Sequence, residues 1–539
     1  MAAPAETQVR TGAHLLVAAL EEHGVEVVFG IPGQHALALW DALASSSIRA
    51  VVVRHEQAAA FAAVGYARTT DRVGVCLTST GPGAFNAFAG MGEAEASSLR
   101  VLHITTQVPS DPGERGWMHE TAGQTEAFRA VTRSHSAPRT PAALAAAVDE
   151  AICAIQSRPG PAMIEALTEV LTADAGEAPP PRSTPIALPA PDPAAVARVV
   201  ELLSGARAPL TFAGGGCRLA ADRVVALAEA LDAPVLTSFN GKGTIPSDHP
   251  LHAGSSQEEP AIRRLIAESD VCIALGTRFA EEYTCHWVSP FPEQLVQVDL
   301  DAARIGRNYP VCEGIVADVG SFCDALLARP LQAGGRDGAA AARAALSGRQ
   351  AEVAAHGFAA ERELMGQIDA ALPAGALVVA DMTIQAYWGV LYLDARVPGG
   401  FAYPMSGALG SAVPTALGVA AGNPGTPVVA MVGDGGYLMG GHELLTAAQN
   451  GLPMVVLLVN DARFGVLENY QMQTYGRKTS VDMSPPDFEA MARAHRARYR
   501  RVDSPGEVGE ALAAAISDLG EGSTLIELQM SLAAPPQSV

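Results

Sequence analysis

The stretch Val428–Asn469 reads VVAMVGDGGYLMGGHELLTAAQNGLPMVVLLVNDARFGVLEN, and its pattern decides the fold class. An apolar run ends in Gly433-Asp434-Gly435-Gly436, a helical segment follows, and a second apolar run ends in Asn460-Asp461. Strand, helix and strand in this order predict two parallel strands of one sheet. Because ligands bind at the carboxyl ends of such strands, we expect both polar clusters to face one site.

The residue types at these two strand ends suit a metal ion bound to a diphosphate. Mg²⁺ takes oxygen ligands from one or two carboxylates and from phosphates, and Asp434 and Asp461 supply carboxylate oxygens from two strand ends. Gly433, Gly435 and Gly436 let the backbone approach phosphate oxygens closely. The 24 residues between the GDG and Asn-Asp elements fit strand–helix–strand geometry, which makes an isolated glycine turn a poor explanation.

The same alternation of apolar runs and helical segments recurs along the whole chain. It predicts an α/β fold of three domains, each a mostly parallel sheet flanked by helices, at residues 1–172, 190–330 and 355–535. The first linker contains Pro179-Pro180-Pro181, which fits neither a helix interior nor a central strand. The second join, around 332–349, is rich in Gly and Ala and is expected to carry part of a helix. The first and last domains have a similar order of elements, which suggests that they are related.

Composition excludes several other classes of protein. The formal net charge of the 539 residues is −21, which argues against a nucleic-acid partner. The seven cysteines are scattered and form no CxxC, so neither a disulfide framework nor a structural zinc site is expected. The sequence shows no signal peptide and no apolar run long enough for a transmembrane helix. We therefore expect a cytoplasmic protein with reduced thiols and no membrane partner.

The element GDG, a spacer and Asn-Asp resembles the metal and diphosphate signature of thiamine-diphosphate enzymes. That resemblance implies that Asp434 and Asp461 bind Mg²⁺ through their side chains and that Arg463 binds it through its carbonyl oxygen. Asp461 stands where the pattern most often has Asn, and either side chain offers an oxygen. The upstream segment Ser406–Pro414 resembles the one that holds the aminopyrimidine. The resemblance implies that the Gly407 carbonyl accepts a hydrogen bond from the amino group and that Leu409 bends the cofactor.

Thiamine chemistry also needs a carboxylate against the pyrimidine ring, and Glu56 is the candidate. It follows a predicted buried strand and opens an Ala-rich helix, where an acidic residue is also favoured by the helix dipole. Its surroundings resemble the acetolactate synthase-like family, and this similarity covers nearly the whole chain. The matching segments are Phe29-Gly30-Ile31-Pro32-Gly33, Arg54-His55-Glu56-Gln57, Gly65-Tyr66-Ala67-Arg68, Gly81-Pro82-Gly83-Ala84-Phe85-Asn86, Gly241-Lys242-Gly243 and Gly276-Thr277-Arg278-Phe279.

The family resemblance has consequences for assembly and cofactors. It implies pyrimidine-binding, middle and diphosphate-binding domains in that order, with thiamine diphosphate and Mg²⁺ as cofactors. In this family the cofactor lies between the first domain of one chain and the last domain of another, so Glu56 and Asp434 would come from different subunits of a homodimer or homotetramer. Some relatives hold FAD in the middle domain as a structural ligand, and the sequence leaves open whether this chain does.

Several residues near the expected pocket bear on the substrate. His119 stands where acetolactate synthases usually have Gln, and a His there could donate a proton. Gln34 occupies a position that faces the substrate in relatives, and Tyr470 replaces a Trp that is typical of the synthases. The branch that the chain resembles best is that of 5-guanidino-2-oxopentanoate decarboxylases, for which Glu468 is a candidate partner of the guanidinium. That similarity rests on Gly33-x-His35, Gly116-Trp117, His119-Glu120-Thr121, Thr237-Ser238-x-x-Gly241-Lys242-Gly243 and Asp381-Met382-Thr383.

The predicted function is therefore thiamine-diphosphate-dependent decarboxylation of a 2-oxo acid, through an enamine intermediate, to an aldehyde. The thiazolium ring acts as the electron sink, and the protein supplies position and environment. Two alternatives stay open from the sequence. One is a carboligase that joins the same intermediate to a second carbonyl compound. The other is a non-catalytic relative that binds a nucleotide in its middle domain.

Overall fold

The first sheet of the protein has six parallel strands in the order β2-β1-β3-β4-β6-β5. The computed structural model describes residues 10–109, 116–176, 183–184, 186–255, 259–332 and 334–535, so the predicted triple-proline linker and the first nine residues lie outside the described part. The strands are β1 Val27–Gly30, β2 Arg49–Val52, β3 Gly74–Thr78, β4 Val101–Gln107, β5 Ser134–Ser136 and β6 Pro161–Leu167. The helices are α1 Gly12–Glu22, α2 Leu37–Ala44, α3 Glu56–Thr69, α4 Pro82–Asn86, α5 Phe88–Ala96, α6 Gln124–Arg129, α7 Pro141–Ser157 and α8 Thr168–Thr172.

Helix α3 is the central helix of this sheet, and its composition explains its position. Eleven of its residues, from Ala58 to Arg68, are buried, because small alanines let other elements pack on every side of it. Its first turn is capped by His55, whose Nδ1 accepts a hydrogen bond from the Gln57 backbone N–H at 3.2 Å. This cap fixes Glu56 as the first residue of the helix, directly after strand β2.

The second sheet has five parallel strands in the order β11-β10-β9-β7-β8. Its strands are β7 Pro209–Ala213, β8 Val235–Thr237, β9 Val271–Leu275, β10 Gln294–Asp299 and β11 Glu313–Val316. Its helices are α9 Pro193–Ser204, α10 Ala221–Leu231, α11 Pro260–Ala267 and α12 Val319–Leu327. Helix α13, Gly338–Ala355, follows in the second predicted join and begins at Asp337, which caps it by accepting from the Ala340 N–H.

The third sheet again has six parallel strands, in the order β13-β12-β14-β15-β17-β16. The strands are β12 Leu377–Ala380, β13 Phe401–Ala402, β14 Val428–Gly433, β15 Val455–Asn460, β16 Arg498–Val502 and β17 Thr524–Gln529. The helices are α14 Ala359–Ala371, α15 Ile384–Tyr392, α16 Ala412–Gly422, α17 Asp434–Gly440, α18 Leu444–Asn450, α19 Gly465–Tyr475, α20 Phe488–Ala494 and α21 Val508–Ser517.

Within the described residues, seven short 3-10 helices connect these elements. They span Gln34–Ala36, Gly215–Ala220, Phe239–Gly241, Glu282–Thr284, Gly441–Glu443, Pro505–Glu507 and Leu519–Glu521. The first and third sheets have the same strand order when the strands of each are counted from its start. This match agrees with the expectation that the first and last domains are related, and the predicted fold of three parallel sheets flanked by helices is confirmed.

The chain forms two compact units, which do not coincide with the predicted domains. The first unit comprises residues 1–187 together with 405–424 and 445–450, so helix α16 packs with α3 in this unit. The second unit comprises residues 188–404, 425–444 and 451–539 and contains both the second and the third sheet. The predicted domain boundaries remain a prediction, and each unit is considered by itself below.

Candidate functional site

In the second unit, a buried aspartate stands where strand β14 passes into helix α17. Asp434 is only 2% exposed, and its Oδ1 accepts a hydrogen bond from the Gly435 N–H at 2.8 Å. Its Oδ2 is buried as well and has no hydrogen-bond partner within the described part of the chain. A buried carboxylate oxygen without a partner is costly unless a ligand satisfies it. Asp434 therefore has the character expected of a metal ligand.

The second predicted carboxylate, Asp461, lies beside Asp434 at the end of the neighbouring strand β15. Burial, and then the nearby charge of Asp434, raise the pKa of Asp461 to about 6, although Arg463 acts in the opposite direction. Burial also raises the pKa of Asp434, while backbone N–H groups that include those of Ala462 and Arg463 lower it. Two close carboxylates that are poorly stabilised as anions favour a bound cation.

A strained turn holds Asp461 and Arg463 in place. Ala462 has a φ of 56°, which is unfavourable for a residue with a side chain, and such strain is frequent at functional sites. The Ala462 N–H donates to Asn460 Oδ1 at 3.2 Å, and Asn460 Nδ2 donates to Glu527 at 2.7 Å. Glu527 also accepts from the Tyr499 hydroxyl at 2.6 Å. The sequence showed Asn460 in the motif but gave no hint of Glu527, which comes from strand β17.

The glycines of the motif pack closely against side chains of the same unit. A Cβ on Gly435 would lie 2.6 Å from the Phe464 ring, so no larger residue fits there without displacement. A Cβ on Gly433 would lie 3.3 Å from Thr383 Cγ2. Gly436 is buried in the first turn of α17. Another residue that the sequence did not single out is Gln385, whose Nε2 donates to Val432 O at 2.6 Å.

The side chain of Arg463 alters one expectation about the substrate. Its Nη1 donates to the two carboxylate oxygens of Glu468 at 3.1 and 2.9 Å, and Lys478 Nζ lies 3.7 Å from Glu468. Glu468 is thus already paired with cationic groups of its own chain. We therefore withdraw Glu468 as the partner of a substrate guanidinium, because two charges compete for it.

The donor set as a whole fits Mg²⁺ bound to a diphosphate. No group of three or more His, Cys, Asp or Glu side chains that could hold a metal occurs in residues 10–535 where the structure describes them. Two carboxylates and a backbone carbonyl are the few protein ligands that Mg²⁺ uses when phosphates and water complete its shell.

In the first unit, Glu56 is held by the glycine-rich segment that follows strand β3. Asn86 Nδ2 donates to Glu56 Oε2 at 2.9 Å. A Cβ on Gly83 would lie 3.4 Å from Glu56 Oε1, so the backbone at Gly83 lies close to the carboxylate oxygen that Asn86 does not bind. The segment Gly81–Asn86, noted in the sequence only as a family match, thus has a physical role as the support of the Glu56 carboxylate.

The turn at Gly81 also brings the predicted residue His119 to this part of the unit. Gly81 has a φ of 63°, and a Cβ on it would lie 2.2 Å from His119 O. His119 itself has a φ of 67°, and its buried Nδ1 has no hydrogen-bond partner among the described residues. The Gly81 N–H donates to Gln124 Oε1 at 2.7 Å, which fixes the turn.

The short 3-10 helix with Gln34 lies against the same segment. His35 Nε2 donates to Met118 O at 3.0 Å, and the rings of His35 and His119 meet edge to face with centroids 5.6 Å apart. The predicted residue Gln34 is exposed and precedes His35 directly. Glu56, His119 and Gln34 therefore belong to segments that adjoin one another around Gly81.

The segment predicted to hold the aminopyrimidine belongs to the first unit as well. Gly407 has a φ of 73°, and Leu409 is 38% exposed, an unusual position for a large apolar side chain that a bound ligand would cover. Glu93 anchors the start of the segment, because its carboxylate accepts from the backbone N–H groups of Met405 at 3.2 Å and Ser406 at 2.8 Å. Glu93 is buried on α5 and pairs with Arg68. The sequence analysis did not identify this anchor, because the burial of Glu93 appears only in the structure.

The three-sheet fold and the paired carboxylates define a thiamine pyrophosphate enzyme, and the chain belongs to that family. Residues 10–127 match its N-terminal TPP binding domain, residues 196–326 its central domain, and residues 381–528 its C-terminal TPP binding domain. The chain is 35% identical to the probable 2-ketoarginine decarboxylase AruI of Pseudomonas aeruginosa, over 97% of this chain and 94% of that protein.

Acetolactate synthases are also among its relatives. Identity is 29% to the probable acetolactate synthase large subunit of Methanocaldococcus jannaschii, over 94% of this chain and 90% of that protein. It is 32% to the acetolactate synthase large subunit IlvB1 of Mycobacterium tuberculosis, over 90% and 83%. The predictions of the family, of an enzyme and of thiamine diphosphate as cofactor are confirmed, and these relatives fit both the decarboxylase and the carboligase reading. Among the helices that the structure describes, none has the length and apolar character to cross a membrane.

Proposed function

We propose that the protein catalyses the decarboxylation of a 2-oxo acid to an aldehyde, with thiamine diphosphate and Mg²⁺. The observation that carries the proposal is the buried Asp434, whose Oδ2 has no hydrogen-bond partner in the described part of the chain, beside the half-buried Asp461. These two side chains and the Arg463 carbonyl would hold Mg²⁺, while Gly433, Gly435 and Gly436 would admit the diphosphate. Gly407 and Leu409 would hold the pyrimidine end. When bound, thiamine diphosphate supplies the electron sink that makes the loss of CO₂ feasible.

Glu56 has the role of a proton carrier in this proposal. The hydrogen bond from Asn86 fixes Oε2 and leaves Oε1, on the Gly83 side, as the oxygen that takes up and releases a proton. A carboxylate fixed in this way keeps one orientation through each turnover, which general acid–base catalysis requires. Glu93 fixes the backbone just before Gly407, because its carboxylate accepts a hydrogen bond from the Ser406 N–H.

His119 provides the reason to favour an aldehyde product. Its Nδ1 is buried without a partner in the described part of the chain, and the ring contact with His35 sets its orientation. We propose that Nδ1 carries the proton that replaces the lost carboxylate on the substrate carbon. Gln34, which precedes His35, would contact the substrate on the same side.

Carboligation is the second candidate, and one observation favours it. None of the residues of helix α19, which begins beside Asp461, is buried, and Leu467, Tyr470 and Met472 are each between 39% and 47% exposed. An open apolar surface next to the metal site could admit a second carbonyl compound. The non-catalytic alternative has no such support, because the matched families are described as thiamine pyrophosphate enzymes.

The assembly and location form part of the proposal. We propose a cytoplasmic homodimer or homotetramer in which Glu56 of one chain and Asp434 of another complete each site, as the family resemblance implies. The proposed domains are residues 1–172, 190–330 and 355–535. FAD is left out, because the matched descriptions name thiamine pyrophosphate and no flavin.

A CO₂-release assay tests the proposal. It uses a panel of 2-oxo acids with and without both cofactors, and the products are identified by mass spectrometry. We expect cofactor-dependent CO₂ and an equal amount of aldehyde. A hydroxyketone or hydroxyacid with a longer carbon chain than the aldehyde would show that the enzyme is a carboligase. CO₂ release that does not depend on the two cofactors would contradict the metal site.

A variant pair separates the two fates of the substrate. His119→Gln should lower the aldehyde formed per CO₂, since the proposed proton donor is lost. His356→Gln, at an exposed histidine that contacts Glu352 O, should leave that ratio unchanged. An unaltered ratio in His119→Gln would remove His119 from the proposal.

A further inference from the structure

A buried glutamine of the first unit joins the turn at Gly81 to strand β6. The Gly81 N–H donates to Gln124 Oε1 at 2.7 Å, and the Thr80 hydroxyl lies 3.1 Å from the same oxygen. Gln124 is the first residue of α6, and its Nε2 donates at 3.0 Å to Oε1 of Glu165 on β6. One amide side chain therefore connects the turn with a carboxylate.

Glu165 is held in its charged form inside the unit. It is 2% exposed, and the Thr125 hydroxyl donates to its Oε2 at 2.7 Å. His135 Nε2 lies 3.8 Å from its Oε1. Burial acts to raise the pKa of Glu165, but His135, Gln124 and Thr125 outweigh this effect, and the pKa lies below its usual value. The side chain is therefore an anion that only accepts hydrogen bonds.

The charge of Glu165 determines the orientation of the Gln124 amide. The two ends of a glutamine amide have nearly the same shape, so the hydrogen-bond partners decide which end points where. A carboxylate accepts only from the NH₂ end, and this turns Oε1 toward the Gly81 N–H. With a neutral amide at position 165 the flipped orientation would also find a partner there, and the buried Gly81 N–H would then face a second donor.

The turn that Gln124 holds supports both residues to which the proposed function assigns proton transfer. Gly81 is the N-cap residue of α4, and the last residue of that helix, Asn86, donates to Glu56 Oε2 at 2.9 Å. Gly81 also lies against the His119 carbonyl, where an added Cβ would be 2.2 Å from the oxygen. A shift of this turn would therefore move the supports of both residues.

We infer that Glu165 and Gln124 are positioning residues, which place Glu56 and His119 for proton transfer by fixing the turn at Gly81. This inference rests on the proposed function. Both residues act through others, because Gln124 contacts the turn and Glu165 contacts Gln124. Misplacing a reacting group by about 1 Å costs up to about 100-fold in rate, so a hydrogen bond that fixes such a turn bears directly on turnover.

Exchanging the two side chains separates positioning from a general loss of stability. Glu165→Gln lets the amide of Gln124 flip, and Gln124→Glu sets two carboxylates side by side. The double variant Glu165→Gln/Gln124→Glu restores the pairing, because the carboxylate introduced at 124 accepts from Gly81 and from the new amide. The oxygen of that amide then accepts from the Thr125 hydroxyl.

The kinetic expectation is a loss in each single variant and a recovery in the double variant. In the cofactor-loaded enzyme, each single variant should have a kcat lower by about 10- to 100-fold, with KM within about threefold of the wild type. The aldehyde formed per CO₂ should fall as well, since His119 is displaced. The double variant should come within about threefold of the wild-type kcat, whereas independent effects would multiply.

Hydrogen–deuterium exchange of the cofactor-free protein gives a readout that does not depend on turnover. The Gly81 N–H is buried and hydrogen-bonded, so it should exchange slowly in the wild type. The peptide that covers residues 80–86 should exchange faster in both single variants and at the wild-type rate in the double variant. The control is Asp149→Asn, which also removes a carboxylate paired with a histidine of the first unit, His23 at 3.1 Å. It should change neither this peptide nor kcat.

Failure of the inference and failure of the proposed function give different results. Single variants with the wild-type kcat, unchanged exchange of residues 80–86, or a double variant that is unfolded or as slow as the single variants would overturn the inference while the wild type still releases CO₂. If a single variant does not fold, the double variant decides, because it keeps every hydrogen bond of the network. A wild type without cofactor-dependent CO₂ release would overturn the proposed function, and the inference with it.

Discussion

Replacing Asp434 by Asn should stabilise the cofactor-free protein and at the same time abolish cofactor binding. The side chain keeps its shape and one oxygen, but it loses the charge that raises the pKa of Asp461 to about 6. The difference between 3.8 and about 6 corresponds to about 3 kcal/mol, and burial is the larger cause. Because Asp434 is the smaller cause, removing its charge should recover only part of this free energy and raise the Tm by no more than about a few degrees.

The pH dependence of this gain follows from the sign of the pKa shift. A carboxyl group whose pKa is raised in the folded state destabilises the fold above that pKa, where it must be charged. The destabilisation is lost as the pH falls through about 6, because Asp461 is then protonated. We therefore expect Asp434→Asn to have the higher Tm at pH 8 and little advantage at pH 5.

With Mg²⁺ and thiamine diphosphate present, Asp434→Asn should be less stable than the wild type. Affinity for Mg²⁺ and thiamine diphosphate should fall by more than about 100-fold, since even outer-shell partners of a metal are worth up to that much. At ligand concentrations of about 100 times the wild-type Kd the wild type gains about 2.7 kcal/mol of stability, and the variant should gain less than about 0.4 kcal/mol.

Differential scanning calorimetry and isothermal titration of both proteins measure these effects. The control is Asp482→Asn, which removes an exposed carboxylate paired with Lys478 at 2.7 Å. It should alter neither the Tm nor the heat of ligand titration. A lower Tm for cofactor-free Asp434→Asn at pH 8, or undiminished titration heat with both ligands, would refute the reasoning.

Three further predictions follow from other parts of the molecule. Glu56→Gln should lower turnover by about 10²- to 10⁴-fold with cofactor still bound by calorimetry, and unchanged turnover would contradict its role. Gly81→Ala should destabilise the fold by about 1–3 kcal/mol more than Gly24→Ala in denaturant titrations, because both have positive φ but only Gly81 has an atom, His119 O, at 2.2 Å from the added Cβ. Burial lowers the pKa of Lys242 to about 7, so the unfolded chain binds more protons between pH 7 and about 10 and stability should rise with pH there. Lys242→Met should reduce that slope by up to about 1.4 kcal/mol per pH unit, and an equal slope would contradict the lowered pKa of Lys242.

The strands of the fold were predictable from the sequence because they are buried on both faces. Runs such as Val271–Leu275 are apolar throughout, and the structure has strand β9 with these same bounds. A helix in the join after residue 332 was also predicted, from its Ala-rich composition, and the structure adds that Asp337 caps this helix. The assignment of residues 405–424 to the first compact unit could not be predicted, because it depends on how α16 packs with α3.

The candidate site was predictable only for residues of suitable chemistry that follow neighbouring strands of one sequence motif. Asp434 and Asp461 follow adjacent strands, so their proximity could be derived from the motif alone. Partners from distant segments could not be derived in this way. Glu527 reaches Asn460 from another strand, and Glu93 reaches Ser406 over more than three hundred residues. The sequence likewise offered Glu468 to a substrate cation, because the pairing of that residue with Arg463 is a matter of side-chain geometry.

The shared strand order of the first and third sheets points to the origin of the molecule. In each sheet the third strand along the chain ends in a glycine-rich turn, at Gly81 in one and at Gly435 in the other. The turn after the third strand therefore supports Glu56 in the first sheet and carries Asp434 in the third sheet. Such a pattern is what duplication of one ancestral gene leaves behind, and under the proposed function one copy would carry the proton-transferring residue and the other the metal ligand.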